Sequence, residues 1–166
     1  MKIKTLSLTE PWATLVSVQA KLIETRSWAT PYRGYLAIHA AKGFPAWAQD
    51  CCIREPFHSV LKEKTGISVI WARGLPKDDP KRSDFPLGCV IAICELVDVI
   101  RITVDNVPPE PERSFGDYTP GRFAWHLKNI QSLIHPIPAR GSLSVWEWET
   151  PEWFNVQDFM GQGVSK

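Results

Sequence analysis

The sequence lacks a long hydrophobic run. Its most apolar stretch, GCVIAICELVDVI at 88–100, is broken by Glu95 and Asp98. The opening MKIKTLSLTEPWATL holds no apolar segment long enough for a signal peptide or a membrane span. A cytoplasmic protein with no membrane association is therefore expected. The sequence also lacks an excess of either charge: 19 Lys and Arg face 18 Asp and Glu, a formal net charge of +1. That excludes a basic coat binding nucleic acid broadly by counterion release, but it leaves room for a small basic pocket. Cysteine is scarce, with four residues and no C-x-x-C pair, so neither a disulfide framework nor a zinc site is indicated. Cys51, Cys52 and His58 lie close enough in the chain to be weighed as ligands, but burial in a helix accounts for the cysteines more simply. No metal or cofactor is expected.

What is present is tryptophan, eight residues, beside 14 prolines. The chain has 166 residues, 44% of them hydrophobic and 22% charged, a globular composition long enough for one well-buried core. No internal repeat or linker divides it, so residues 1–166 read as a single domain.

Alternation predicts strands at 2–8, 22–28, 34–40 and 88–99, then FAWHL at 123–127, NIQSLIHPIPA at 129–139 and SLSVWEWE at 142–149. A helix is expected from Thr9 to about Ala20, with Pro11 in its first turn, and two more across 45–65, divided at Pro56. Residues 72–86 and 103–121 read as polar loops, the first holding Lys77, Lys81 and Arg82 beside Asp78, Asp79 and Asp84. Many short strands and few helices predict an α+β protein built around a small β-barrel with short flanking helices. Residues 1–50 carry six positive and three negative groups, and residues 101–166 carry six and eight. An anion-seeking surface is thus expected in the first third.

The densest polar cluster there is Lys21, Glu24 and Arg26, in the order K-x-x-E-x-R. Period-two alternation puts Glu24, Arg26 and Trp28 on one strand face, with Glu24 and Arg26 about 7 Å apart. A cation, a carboxylate and an indole on one face can read a nucleobase: the carboxylate accepts an exocyclic amine, the guanidinium grips phosphate, and the ring stacks. Lys21 and Glu24 would serve equally as an acid/base pair if burial moves them toward neutrality. A solvated Glu24–Arg26 ion pair and a lysine complementing a helix C-terminus account for the same letters without function.

The blocks LSLTEPWATLV, AKLIETRSW and YRGYLAIHA resemble the opening of the ASCH (activating signal cointegrator homology) family, whose signature is G-x-K-x-x-E-x-R. The likeness continues through LGCVIAICELVDV, FGDYTPGRFAWHLKNIQSL and PIPARGSLSVWEW, nearly the whole chain. The resemblance implies a PUA-like fold, a pseudo-barrel whose cleft binds single-stranded RNA, a nucleotide or a nucleoside, including one with a modified base. Lys21, Glu24 and Arg26 would line that cleft. Trp28 and Trp12 would flank it, and Glu10, Arg33 and Arg122 are further candidates. Trp125, from the same GR[FY]AW block as Arg122, reads as core. So do Trp146 and Trp148, with Glu147 and Glu149 on the solvent side. His39 reads as a satisfied structural histidine.

The resemblance also implies an alternative, a hydrolase on the same cleft with Lys21 and Glu24 catalytic. Some relatives cleave RNA, and a short bacterial branch hydrolyses the acetyl amide of N4-acetylcytidine with a Lys, a Thr and a Glu. Here Glu24 stands where that branch has its Thr, and Thr25 is expected on the opposite strand face. Two further positions depart from the family pattern. Gln19 replaces a glycine that would suit a left-handed turn, and Glu10 stands where Gln often precedes Pro-Trp.

Overall fold

The computed structural model describes residues 1–67 and 85–161. Most of the 72–86 loop, with its mixed charges, lies outside the described residues.

The elements run β1 (Lys2–Leu8), α1 (Trp12–Ser17), β2 (Ile23–Arg26), β3 (Gly34–Ala40), α2 (Ala46–Cys52) and α3 (Phe57–Thr65). They continue with β4 (Cys89–Arg101), a 3-10 turn (Glu112–Phe115), β5 (Phe123–Pro138), β6 (Val145–Glu149) and α4 (Val156–Gly161). Strands β1 and β3 and the division of the 45–65 helices at Pro56 coincide with the pattern reading. The stretches at 123–127 and 129–139 merge into one strand. Asn129, at φ 50, sits where they meet, and the β4–β5 register shifts three times along the pair. Those irregularities break the alternation that makes a strand legible.

The six strands form one mixed sheet in the order β2-β5-β4-β3-β1-β6. β1 and β3 run parallel, linked through α1 and β2, and the other pairs are antiparallel. The described strands do not confirm the expected small β-barrel: the sheet is open, with β2 and β6 at its edges. At the start of β2 a carboxylate meets the backbone. The backbone N–H groups of Leu22 and Ile23 donate to the Glu112 carboxylate at 2.7 and 3.2 Å, so a side chain, not another strand, satisfies that margin.

Both sheet faces are covered. Leu36, Ile38 and Ala40 join Leu6, Leu8, Ala13 and Val16 on the α1 side, around Trp125. Ala37 and Ile93 face the other way, onto Trp148, Val156 and Met160. Ile91 and Ala92 fall on the same side because the register shifts between Val90 and Ala92. Trp125 is fully buried and meets Trp28 edge-on at 4.7 Å; removing it would cost about 3–5 kcal/mol. A third cluster packs α2 and α3 around Leu15, Phe57 and Phe115. No helix among the described residues is long and apolar enough to cross a membrane.

Candidate nucleic-acid interface

The site begins at the end of α1. The chain reverses there through Gln19, at φ 60, the left-handed conformation that a glycine would adopt without strain. The turn is nonetheless held: Gln19 Nε2 donates to Ile130 O at 3.1 Å, and Lys21 N donates to Leu15 O at 3.0 Å. Lys21 then points inward and is fully buried.

Its ammonium has three anionic or polar neighbours. Nζ donates to the Ile23 carbonyl, lies 3.6 Å from Glu24 Oε2 and lies 3.9 Å from Glu112 Oε1. Glu24 in turn holds Arg26, whose Nε is 3.1 Å from Oε1 although its N–H is not aligned along that line. Arg26 Nη2 donates to Ser7 O at 3.2 Å. The charges alternate along Glu112, Lys21, Glu24 and Arg26 and sum to zero. An uncompensated charge buried here would be costly. Of these four, Arg26 is the one that reaches outward, with 27% of its side chain exposed.

The other wall is the segment 112–122, stitched onto β2. Besides the Glu112 bonds, Asp117 N donates to Thr25 Oγ1 at 3.0 Å and Arg122 Nη2 to Thr25 O at 3.4 Å. Trp12 Nε1 donates to Phe115 O at 2.8 Å. Gly116 permits this approach, since a Cβ there would lie 2.8 Å from the Tyr118 ring and 3.0 Å from Thr25. Between the walls is a pocket of about 490 Å³ that includes Trp12, Glu24, Thr25, Arg26, Trp47 and Arg122 in its lining. Trp12 and Trp47 face each other, ring centroids 5.6 Å apart and planes tilted by 41°, with Trp47 59% exposed. Arg122 is partly engaged by Asp117, Nε to Oδ2 3.3 Å. The Asp117 carboxyl is held below its usual value, chiefly by the Thr119 hydroxyl.

Of the residues singled out from sequence, Trp12, Glu24, Arg26 and Arg122 meet in this pocket. Lys21 lies directly behind it. Thr25, expected on the opposite face, also lines it. Trp28 does not: β2 ends at Arg26, the alternation stops, and Trp28 turns onto Trp125. Arg33 stands elsewhere, bonded to Asp98 Oδ1 at 3.1 Å. Glu10 is buried and turned back onto α1, accepting from Thr14 N at 3.0 Å and Thr14 Oγ1 at 2.9 Å. Burial pushes its carboxyl up to about 7, against the lowering effect of both Thr14 bonds. Cys51, Cys52 and His58 form no ligand set, and among the described residues no cluster of three such groups occurs. For acid/base chemistry, Lys21 would have to touch a substrate, and its ammonium is sealed from solvent.

Two site residues escaped the sequence reading. Trp47 stood out as an apolar residue of the 45–65 helices, but not as a pocket residue. Glu112 lay in a stretch read as a loop, although a signal for its local structure exists. The pattern E-P-x-x-S/T occurs at 10–14, 55–59 and 110–114. In each copy the Glu carboxylate accepts the backbone N–H four residues on, at 3.0, 3.3 and 3.1 Å. The third copy starts the turn that presents Glu112.

The ASCH domain model matches residues 6–137, and the chain belongs to the ASCH domain family. Over 145 residues it is 26% identical to activating signal cointegrator 1 of Mus musculus and, to the same degree, of Homo sapiens. Those alignments cover 87% of this chain but only 22% of either relative. The crystal structure of ASCH from Zymomonas mobilis superposes with a TM-score of 0.47 at 14% identity, covering 97% of this chain and 92% of that one.

Proposed function

We propose that the pocket between β2 and the 112–122 segment binds single-stranded RNA or one of its nucleotides. The observation that carries this reading is the convergence of two guanidiniums, two carboxylates (Glu24 and Asp117) and a tilted indole pair in one pocket. Arg26 and Arg122 meet phosphate, Glu24 accepts an exocyclic base amine, and Trp47 with Trp12 supplies the stacking surface. Lys21 acts as a positioning residue, holding the Glu24 carboxylate in place from behind. The pocket lining is charge-balanced, so recognition leans on stacking and base contacts, and the salt dependence is shallow.

The test is a fluorescence-anisotropy titration of mixed-sequence RNA hexamers, with nucleoside competitors, against wild type and Arg26→Gln. A tenfold or greater loss in the variant, at unchanged melting temperature, supports the assignment; a charged hydrogen bond is worth about 1.5–3 kcal/mol. Equal affinities would remove the pocket from consideration.

A further inference from the structure

Across Ser7 from this pocket lies a second, larger one, about 840 Å³, and Ser7 lines both. Both volumes fall in the range of roughly 300–1,000 Å³ that small-ligand sites occupy. The divide is well braced. Ser7 Oγ accepts from Trp146 Nε1 at 3.1 Å and lies 3.1 Å from His39 Nδ1. His39 Nε2 is 3.0 Å from the Ala139 carbonyl, which can only accept, so Nε2 carries the ring proton. Nδ1 is then the acceptor for the Ser7 hydroxyl, and the divide is polar, uncharged and fixed.

The second pocket differs from the first in its charge. Lys42 and Arg140 line it, and no carboxylate does. Both cations are exposed, and neither has an ion-pair partner among the described residues. Arg26 and Arg122, by contrast, are shared with Glu24 and Asp117. The second pocket therefore holds the less neutralised cations. Leu87, Pro138 and Leu143 provide an apolar surface beside them, and Leu143 is 90% exposed. Gly141 lets the segment that closes this pocket approach the divide, since a Cβ there would stand 2.5 Å from His39 Cε1 and 3.1 Å from Ser7 Oγ.

We infer that this pocket is a second nucleotide subsite, continuous with the first over Ser7. A phosphate meets Lys42 and Arg140, and a base lies on Leu87, Pro138 and Leu143. The inference rests on the reading of the first pocket, and it narrows the ligand to a single strand spanning at least two nucleotides. Joining two subsites raises affinity without strengthening either one.

The experiment compares wild type, Arg26→Gln and the double variant Lys42→Ala/Arg140→Ala. Each is titrated with the four nucleoside 5′-monophosphates by calorimetry and with an RNA hexamer by anisotropy at several salt concentrations. Both substituted cations of the double variant are exposed, and an unchanged melting temperature confirms its fold. Wild type should bind the hexamer at least about tenfold tighter than any monophosphate. The double variant should lose that advantage, and calorimetry should count one fewer bound monophosphate than in wild type. Its salt slope should be flatter by about 0.7 for each phosphate it no longer neutralises. Hexamer affinity lowered by Arg26→Gln but untouched by the double variant overturns the second subsite and leaves the first standing. A bound monophosphate lost from the double variant with hexamer affinity unchanged overturns the continuous path. No hexamer binding, or binding indifferent to all three substitutions, defeats both readings.

Discussion

Glu112 approaches the buried ammonium of Lys21 to 3.9 Å while its two oxygens also hold the backbone N–H groups of Leu22 and Ile23. One carboxylate thereby finishes the sheet edge, neutralises the signature lysine and anchors the wall of the pocket. The signature residues depend on a partner that lies outside the signature.

That dependence makes Lys21 a stability residue first. Lys21→Ala would leave Glu24 and Glu112 facing each other without their shared cation, and removing one member of a buried ionic cluster costs about 3–5 kcal/mol. Urea denaturation should show a loss of that size, with partial recovery when Glu24→Gln is added. A loss below about 1 kcal/mol would mean that the cluster is better solvated than its burial indicates.

Trp47 separates binding from folding. It is 59% exposed and stands against Trp12 at the pocket wall. Trp47→Ala should weaken RNA binding by the worth of one stacked base, about 1–3 kcal/mol, or roughly 5- to 150-fold. Its melting temperature should move little. RNA titration beside differential scanning fluorimetry checks both, and unchanged affinity would remove the indole from the ligand surface.

Glu10 predicts a pH dependence of stability. Burial raises its carboxyl from an ordinary 4.5 to about 7. The folded state thus binds a proton that the unfolded state releases. The stabilisation is complete below 4.5 and is lost as pH rises through about 7. His39 acts in the opposite sense. Burial lowers its ring pKa despite the Ala139 bond, so its cost appears as pH falls below 6.5. In Glu10→Gln the amide oxygen still accepts from Thr14 N, and the amide N–H donates to the Thr14 hydroxyl. The variant should be more stable than wild type at pH 8, by on the order of 2–3 kcal/mol, with the difference shrinking toward pH 4.5. A constant difference across that range would show that Glu10 does not titrate there.

Gln19 combines two opposed effects. Its left-handed φ of 60 carries strain that glycine would relieve, while its amide bond to Ile130 O contributes about 0.5–1.5 kcal/mol. Gln19→Ala keeps the strain and loses the bond, so it should cost about 1 kcal/mol; Gln19→Gly should cost less. Thermal denaturation in which alanine proves no worse than glycine would contradict this account of the turn.

Much of this protein was legible in its sequence because the relevant forces are local. Alternation marked β1 and β3 and Pro56 divided α2 from α3, while the resemblance to the family signature, with Gln19 in place of its glycine, implied a turn that is either strained or altered in geometry. The spacing of Glu24 and Arg26 put both on one face of β2, since side-chain direction on a strand repeats every two residues. Other features depend on packing between distant segments, which no local pattern records. Trp28 left the pocket because β2 ends at Arg26, and Glu10 turned onto Thr14. Glu112 and Trp47 joined the site from segments packed against β2 and α1. At the start of β2 the Ile23 N–H is likewise met by the Glu112 carboxylate, which comes from a distant segment. The sequence by itself determined the strand pattern and the signature triad. Only the tertiary structure decided which of those charges face a ligand, because burial neutralised Lys21 among its partners and left Arg26 to reach outward.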